Sequence, residues 1–545
     1  MTGNFLLISV AGLPKILSDF IPDIGLGVLA SSLINEGWRV KILDFNQPSL
    51  FSEVFTDEIS SFLERFSHKV FIEGKSPSLI DIAKLKLIDK RLEKNKEVFS
   101  EKLQGYIENF VEKEKIDCVG FKLWAGDGFR WSLNAGGYLK KKHPELKIIG
   151  GGPQVDIFGE EIYKVGGFFD ALCYGEGEET IIHLADYVAG KKRREDIPNI
   201  IFRKEETLIK TPRKFIEDLD NLPIAVYTPD VYININEKLK ILVLDESRGC
   251  PNSCFFCIHP VKSGRRRTKS PEKVIYEIKE YRKRYGVSTF KYAGSSTPGS
   301  FIMDVAKKIL EDKIEVKYTS FGHLNEFEVD FSILKNSGCE SIFFGLESAD
   351  EKILKEGMNK EINIDKAKKV LIECKRAGIF TVVSVIYPAP FETRESRKKT
   401  MEFIKEVSPD SVLVQFAGVY PQTVWFKYPE RFNFIIEDKE TYSLKTMTYK
   451  IKNLFPPTYW EPLPYRINGM SFKDYARETF IFQKELQEEG IETSISDEAY
   501  LIYKVSGFST LRDFLNTNRY YFYSGNRKKL EEEIISVNSR ITRKE

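Results

Sequence analysis

The 545-residue chain lacks a charge imbalance, a long apolar run and enough cysteine for a disulfide scaffold. Lysine and arginine number 82 and aspartate and glutamate 80, so the formal net charge of +2 argues against a strongly basic nucleic-acid binder. Seven cysteines are too few to cross-link a chain of this length, and their odd number argues against a complete set of bridges. We therefore expect no nucleic-acid partner and no disulfide framework.

Export and membrane-spanning signals are also missing from the sequence. The first apolar run, FLLISVAG, has the length of a strand, and no basic segment precedes it. The longest apolar run, residues 379–387, is interrupted by Thr381 and Ser384 and falls short of the about 18 residues that cross a bilayer. These features predict a soluble, cytoplasmic protein without a transmembrane segment.

Apolar residues make up 42% of the chain and aromatic residues 13%, which excludes a largely disordered protein. The length exceeds what one hydrophobic core supports, so we expect about three domains. Strand and helix patterns alternate over residues 1–190, with a charged helical insertion at 51–115. This alternation predicts a Rossmann-like, parallel, doubly wound α/β domain.

The rest of the chain divides into three further segments. Residues 191–238 are punctuated by proline and carry a hairpin pattern, as in a connector. Residues 239–420 contain six strand–helix units, which predict a partial barrel rather than a closed eightfold one. Residues 421–545 are predicted to be mostly helical, and we consider this C-terminal region a candidate cover for a substrate.

Three of the seven cysteines lie within eight residues, directly after the first predicted barrel strand. Cys250, Cys254 and Cys257 have the spacing C-x3-C-x2-C. Three thiolates in one loop hold three irons of a [4Fe–4S] cluster and leave the fourth iron open to a ligand. Structural zinc with His259 as fourth ligand is the alternative, but zinc sites usually pair two distant knuckles, and the sequence has no second one.

This motif and the segments that follow it resemble the radical S-adenosylmethionine (SAM) superfamily. Residues 337–360 resemble the fourth-strand segment, whose Glu and Ser approach the SAM ribose, and residues 377–393 resemble the fifth-strand segment. The resemblance implies that SAM is bound by Phe256, Gly294, Ser295, Ser296, Glu347, Ser348 and Ser384.

The chain departs from that family in two places. The second-strand segment, residues 291–299, has Ser295, Ser296 and Thr297 where the family usually places an acid for the methionine amine. Hydroxyls and backbone carbonyls are the remaining acceptors there. Tyr387 stands where the fifth-strand segment normally has a glycine before the proline.

The N-terminal domain resembles the cobalamin-binding domains that precede many radical SAM modules. The matching stretches are residues 22–33, 118–126 and 148–180, and the whole resemblance covers about residues 4–420. Glycines at strand ends let the backbone approach a large flat ligand. The resemblance implies that cobalamin is bound by Trp124, Gly150, Gly151, Gly152, Gly175, Glu176 and Gly177.

Histidine ligation of cobalt requires the motif D-x-H-x-x-G in such domains. The N-terminal domain contains His68, His143 and His183, none of them in that context. The resemblance therefore implies cobalamin in a base-off form without a histidine ligand. The loop 124–130 is our candidate for the lower side of the corrin, with an ordinary surface loop as the alternative.

The resemblance implies a cobalamin-dependent radical SAM enzyme whose cofactors are a [4Fe–4S] cluster, SAM and cobalamin. A 5′-deoxyadenosyl radical would take a hydrogen from an unactivated carbon, and methylcobalamin would deliver a methyl group to it. Rearrangement or cyclisation with the same cofactors remains open, as does a SAM- or corrinoid-binding regulator with a structural cluster. We expect the two cofactor sites to meet in one cavity, at the strand ends of both domains.

The sequence leaves the substrate and the electron donor open. A small molecule, a lipid or a peptide fits the resemblance, and a flavodoxin or ferredoxin is the implied reductant. The basic run at 264–269 is a candidate docking site for that donor, although a solvated lead into the next helix is the favoured alternative. His323 is a candidate SAM or substrate contact or a core histidine, and the aromatics after residue 418 are a candidate cavity wall.

Overall fold

The computed structural model describes residues 3–452 and 454–541, which form two large α/β sheets with a helical C-terminal region. The first sheet has the strand order β2-β1-β3-β4-β5-β6-β7, and its first five strands are parallel. The strands are β1 (Asn4–Ser9), β2 (Arg39–Asp44), β3 (Cys118–Lys122), β4 (Lys147–Gly151), β5 (Ala171–Cys173), β6 (Ile200–Lys204) and β7 (Thr207–Lys210).

The antiparallel hairpin of β6 and β7 extends the first sheet beyond residue 190. The hairpin pattern was expected in the connector, and β6 pairs with β5 because its apolar residues complete the buried edge of the sheet. Helices cover both faces of this sheet. They are α1 (Ile24–Asn35), α2 (Ser49–Val54), α3 (Asp57–Ser67), α4 (Leu79–Glu114), α5 (Asp127–Lys142), α6 (Pro153–Phe158) and α7 (Glu178–Val188).

The charged insertion predicted at 51–115 forms the three helices α2 to α4. Helix α4 begins with a capping box in which Ser78 and Asp81 satisfy each other's backbone amides. One apolar stripe of α4 packs against the core of the first sheet, and the charged remainder faces solvent.

The second sheet is open and wholly parallel, with the order β15-β14-β13-β12-β11-β8. Its six strands follow one another in space as in the chain, which is the predicted partial barrel. They are β8 (Ile241–Leu244), β11 (Thr289–Tyr292), β12 (Lys317–Gly322), β13 (Cys339–Glu347), β14 (Phe380–Ile386) and β15 (Ser411–Gln415).

Helices cover one face of this sheet, and a short antiparallel ribbon follows its first strand. The ribbon consists of β9 (Ser247–Arg248) and β10 (Arg267–Thr268). The helices are α8 (His259–Ser263), α9 (Pro271–Tyr285), α10 (Gly299–Glu311), α11 (Phe331–Asn336), α12 (Ile364–Arg376) and α13 (Arg394–Val407).

The C-terminal region is mostly helical, as predicted, and one of its helices lines the inner face of the open sheet. Asp497 at the start of α17 accepts a hydrogen bond of 3.0 Å from Thr319, and Tyr500 stacks on Phe380. The elements of this region are α14 (Val424–Lys427), β16 (Phe434–Ile435), α15 (Lys439–Met447), β17 (Arg466–Ile467), α16 (Phe472–Glu488), α17 (Asp497–Ser506), α18 (Leu511–Ser524) and α19 (Arg527–Ile541).

Among the described residues, one helical stretch is long and apolar enough to cross a membrane by length and composition alone. It is Leu17–Asn35, with a mean hydropathy of 1.4, and 56% of it is buried inside the fold. Asp19 and Asp23 interrupt its apolar runs. A buried core helix passes the same test, so this stretch is weak evidence for a membrane span.

Candidate active site

The three clustered cysteines lie in the loop between β9 and β10. They are free and half-buried. The backbone N–H of His259 points at Cys257 Sγ at 3.4 Å, and the Asn252 side chain lies 3.7 Å from Cys250 Sγ. Burial raises the pKa of Cys254 to about 12 and that of Cys257 to about 11, so both thiols keep their protons at neutral pH unless a cation binds them. The donor set fits an iron–sulfur cluster.

His259, which the zinc alternative requires, is oriented by another contact. Its Nδ1 lies 2.8 Å from Ser295 Oγ, on the loop that follows β11. One ring nitrogen is therefore already engaged with a residue of the predicted SAM set. Phe256, the aromatic before the third cysteine, packs on Trp425 with ring centroids 5.5 Å apart.

Glu347 ends β13 in a conformation that ordinary strand residues avoid. Its φ is +67°, and the pairing register with β14 shifts at this point. Its carboxylate accepts hydrogen bonds of 2.9 Å from Ser384 and from Lys360. The structure thus joins two predicted SAM residues and adds Lys360, which the sequence analysis missed although it ends the quoted fourth-strand segment.

Ser348 is placed differently from its neighbour Glu347. Its buried hydroxyl accepts a hydrogen bond of 3.1 Å from the backbone of Asp350 and lies 3.4 Å from Thr400 Oγ1 on α13. The side chain therefore supports the turn after β13 rather than the Glu347–Ser384 pair. Ser348 stays a prediction as a SAM residue.

An acid that follows β8 lies against the second-strand segment. Glu246 is fully buried, and its carboxylate accepts a hydrogen bond of 2.6 Å from Thr297 and one of 3.1 Å from the backbone of Gly294. Burial raises its pKa to about 7. A Cβ atom at Gly294 would lie 2.2 Å from this carboxylate, so the close approach requires glycine. The only sequence signal was an acid directly before Ser-Arg-Gly-Cys.

His323 lies at the end of β12 and is neutral. Burial lowers its pKa to about 4, and its Nδ1 accepts from the backbone of Asn325 at 3.4 Å. The buried Nε2 has no hydrogen-bond partner among the described residues. This atom is free for a ligand, which keeps His323 a candidate contact.

Most of the predicted cobalamin residues line one cavity of about 370 Å³ between the carboxyl ends of both sheets. Ser295 of the predicted SAM set and His259 line the same cavity from the other side. The first-sheet residues that line it are Gly150, Gly151, Gly152, Gly175, Glu176 and Gly177.

The glycines of β4 have different surroundings. A Cβ atom at Gly150 would lie 2.7 Å from Leu172, whereas one at Gly151 would meet nothing nearer than Cys173 at 3.7 Å. Gly152 has a φ of +91°, which side chains rarely adopt. Gly150 is therefore required by packing, and Gly151 leaves room for a ligand.

Trp124 lines an adjoining cavity of about 560 Å³ that shares Ile24 and Lys122 with the first. Its indole N–H donates to Ser9 at 2.9 Å, and the Lys122 ammonium lies 4.5 Å from the ring centroid. Among the described residues, neither cavity is lined by a histidine of the first sheet. His68, His143 and His183 instead lie beside Glu73, Glu108 and Lys192, respectively.

The basic run after the cysteines is not a free patch. Arg265 is exposed and pairs with Glu217 at 2.9 Å, whereas Arg266 pairs with Glu326. Arg267 is buried and pairs with Glu176, so the carboxylate of this cavity-lining residue is already engaged. These contacts favour a basic run that leads into the next helix over a docking site for an electron donor.

The predicted aromatic wall packs on the loop that carries the three cysteines. Trp425 is buried, donates from its indole to the Gly357 carbonyl at 2.8 Å and contacts Phe434. Tyr420 and Tyr428 are exposed. The segment also covers the first sheet, because Gln422 donates to the Asp156 carbonyl at 2.7 Å.

Comparison with known proteins identifies the second sheet. Residues 247–404 match the Radical SAM superfamily. An uncharacterized methyltransferase of Pyrococcus horikoshii is 27% identical over 308 residues, which are 54% of this chain and 66% of that protein. Bacteriochlorophyllide d C-8(2)-methyltransferase of Chlorobaculum tepidum is 23% identical over 378 residues, 66% of this chain and 79% of that protein. The anaerobic magnesium-protoporphyrin IX monomethyl ester cyclase of Synechocystis is 26% identical over 226 residues, 40% of this chain and 45% of that protein.

Two solved structures share the fold of nearly the whole chain. The radical SAM methyltransferase TsrM of Kitasatospora setae, with cobalamin and a [4Fe–4S] cluster bound, has a TM-score of 0.64 and 14% identity, and the match covers 98% of this chain and 99% of that one. The cobalamin-dependent radical enzyme OxsB, with aqua-cobalamin and SAM bound, has a TM-score of 0.56 and 14% identity, covering 96% and 72%.

The family match and the cysteine loop together identify a radical SAM domain at residues 247–404. The overall fold of the chain is that of the cobalamin-dependent radical SAM enzymes TsrM and OxsB, which confirms the predicted architecture.

Proposed function

We propose that the chain is a cobalamin-dependent radical SAM methyltransferase that acts on an unactivated carbon. The observation that carries the proposal is the single cavity lined both by the glycine turns of the first sheet and by the loops beside the three cysteines. Methyl transfer requires the methyl donor, the substrate carbon and the radical source to lie within reach of one another. A cavity between the two sets of strand ends meets that requirement.

In this proposal the cysteine loop holds a [4Fe–4S] cluster, and SAM lies beside Glu347, Ser384 and the loop after β11. Bound together, the cluster and SAM supply a carbon-centred radical, and cobalamin supplies a transferable methyl group. The protein orients these groups. Glu246 holds the backbone of Gly294 and the Thr297 hydroxyl, and thereby fixes the loop after β11 that would receive the methionine end of SAM.

Cobalamin would lie against Gly151, Gly152 and the turn at 175–177, with Trp124 at the adjoining cavity. We retain as part of the proposal a cobalamin-binding domain at 1–190, whose sheet the β6–β7 hairpin of the connector at 191–238 completes, a barrel at 239–420 and a C-terminal region at 421–545. Gln422 donates to the Asp156 carbonyl, and Gln154 donates to the Met447 carbonyl. These contacts between the first domain and the C-terminal region support a role of that region as a cover.

The proposed substrate class stays broad: a small molecule, a lipid or a peptide. One TsrM structure contains a tryptophan substrate, and this favours a small molecule for the related fold here. We further propose a cytoplasmic location and reduction by a flavodoxin or ferredoxin.

The test is anaerobic incubation of the reconstituted full chain with a reductant, cobalamin, methyl-labelled SAM and pools of candidate metabolites. We expect 5′-deoxyadenosine, S-adenosylhomocysteine and a product heavier by one labelled methyl group, detected by mass spectrometry. Cys254→Ala should abolish the 5′-deoxyadenosine and the methylated product, and Cys374→Ala, which alters a buried cysteine of α12, should not.

Rearrangement or cyclisation is the second candidate, favoured by the similarity to the Synechocystis cyclase. In that case the same incubation should give 5′-deoxyadenosine and a changed product without the labelled methyl group. Absence of 5′-deoxyadenosine and of S-adenosylhomocysteine with every pool would contradict both candidates and favour a regulator.

A further inference from the structure

Two arginines face each other directly across the β9–β10 ribbon, and each binds one glutamate where the turn after β5 leads into α7. Arg248 and Arg267 are paired in the ribbon register. Arg267 binds Glu176 at 2.7 Å, and Arg248 binds Glu178. The ribbon brackets the cysteine loop, and the turn belongs to the cobalamin cavity. The four charges therefore lie at the junction of the two proposed cofactor sites.

Arg267 uses every N–H of its guanidinium. Nη1 and Nη2 donate to the two carboxylate oxygens of Glu176 at 3.0 and 2.7 Å. The other N–H groups donate to the carbonyls of Ile216, Ser263 and Arg265. A planar fork with five donors makes this set, and a lysine ammonium cannot. Arg267 thereby ties the turn, the connector and the end of the cysteine loop to one point.

Arg248 makes the second connection. It donates to both oxygens of Glu178 and, at 2.9 Å, to Asp245 at the end of the first barrel strand. Burial disfavours the charge on Asp245, but Arg248 and Lys269 outweigh it and hold the pKa of that carboxyl below its ordinary value. The pair is largely buried, so solvent screens it little.

Backbone contacts carry this fixation to the cysteines. The N–H of Cys250 donates to the carbonyl of Gly264 at 3.2 Å, between two carbonyls that Arg267 holds. Gly249 has a φ of +78°, and a Cβ atom there would lie 2.3 Å from the Arg265 carbonyl. The first cysteine thus rests on the backbone that Arg267 anchors to Glu176.

We propose that Arg248 and Arg267, through Glu178 and Glu176, are positioning residues that fix the cysteine loop to the turn at 175–177 and thereby set the separation of the cluster and the corrin. The inference rests on the proposed function for the identity of the two groups. Removing one partner of a buried ion pair leaves the other charge uncompensated, so each substitution should loosen both segments together.

The first experiment measures amide hydrogen exchange by mass spectrometry in the anaerobic full chain, before and after iron–sulfur reconstitution, without cobalamin. The variants are Glu176→Gln, Glu178→Gln and Arg267→Lys. Matched controls are Glu179→Gln and Arg265→Lys, which alter exposed ion pairs next to the same residues. Iron content and the unfolding midpoint establish that each variant is folded.

In the wild type, reconstitution should slow exchange in the turn at 174–181 although the iron binds only to the cysteine loop. In the three variants, the factor by which reconstitution slows exchange in this turn should fall at least about ten-fold. In the controls this factor should stay as in the wild type. An unchanged response in the variants, or an equal loss in the controls, would overturn the proposal. If Arg267→Lys fails to fold, the Glu178→Gln variant decides, because its pair lies nearer the surface.

The second experiment loads cobalamin and measures the magnetic interaction between its cobalt(II) form and the reduced cluster by EPR. In the wild type and the controls we expect a narrow distribution of the distance between cobalt and cluster. In the variants that still hold iron and cobalamin, this distribution should be broader. A distance distribution as narrow as that of the wild type, and centred at the same distance, would contradict the proposal. If the wild type binds no cobalamin, the proposed function fails, while the exchange experiment still decides whether the two segments are coupled.

Discussion

The hydroxyl of Ser384 on β14 donates a hydrogen bond of 2.9 Å to the carboxylate of Glu347 on β13. The second oxygen of that carboxylate lies 2.9 Å from the Lys360 ammonium, which also donates to the Gly345 carbonyl. Glu347 is therefore held from two sides in a strained backbone conformation. Strain of this kind at a buried polar residue is typical of functional sites.

Substituting Lys360 should destabilise the protein strongly, because its partner Glu347 is buried. Lys360→Met leaves the Glu347 carboxylate buried and unpaired, so the free energy of unfolding should fall by about 3 kcal/mol or more, measured by urea denaturation. SAM affinity should fall with it. Lys366→Met, which breaks a more exposed pair with Glu328, should change stability by less than about 1 kcal/mol. Equal losses in the two variants would contradict this account of Lys360.

Neighbouring glycines of β4 should respond differently to added side chains. Gly151→Val projects methyl groups into the cavity beside ordinary contacts only, so cobalamin occupancy should fall at least ten-fold with little loss of stability. Gly150→Ala instead places a Cβ atom 2.7 Å from Leu172 and should lower the free energy of unfolding by about 1–3 kcal/mol. Cobalamin content after purification and thermal unfolding separate the two effects. Full occupancy in Gly151→Val would refute the assignment of this cavity.

Contiguous motifs were the part of the site that the sequence predicted best. Cys250, Cys254 and Cys257 are fixed by local spacing, and the glycine runs follow strands whose apolar pattern is plain. Glu347 and Ser384 were found through their segments, and the structure brings them within hydrogen-bond distance.

Partners far apart in the chain left no such signal. Arg267 and Glu176 are 91 residues apart, and each alone reads as a surface charge at a helix start. Glu246 contacts Gly294 and Thr297 only because β8 and β11 lie side by side. Helix α17 has an ordinary amphipathic pattern, and nothing in it indicates that it lies on the inner face of the open sheet. Tertiary pairing, rather than local propensity, decides all of these.

Bound cobalamin should lack a nitrogen ligand from the protein. His68, His143 and His183 line neither cavity and are engaged elsewhere. EPR of the cobalt(II) form in the full chain should therefore show no superhyperfine splitting from an axial nitrogen. His183→Ala should give the same spectrum as the wild type. Nitrogen splitting that disappears in any one histidine variant would show that this reading of the first domain is wrong.

Glu246 should make stability and SAM binding depend on pH near neutrality. Burial raises its pKa to about 7 in the folded protein from an ordinary value of 4.5. A raised carboxyl pKa means that the fold favours the protonated form. The stability from this group is therefore complete below pH 4.5 and is lost as the pH rises through 7. The shift corresponds to about 3 kcal/mol.

Glu246→Gln stays neutral, so the difference in unfolding free energy between the wild type and this variant should change by about that amount between pH 4.5 and 7.5. Shifts from other buried acids such as Asp497 cancel in the difference. Equilibrium dialysis should show SAM binding that tightens from pH 6 to 7.5 in the wild type, because the ionised carboxylate is the stronger acceptor for the Gly294 backbone and the Thr297 hydroxyl of the proposed SAM loop. In Glu246→Gln the affinity should be lower and flat over the same range. A wild type and variant with parallel pH profiles would mean that Glu246 neither titrates near 7 nor orders the loop after β11.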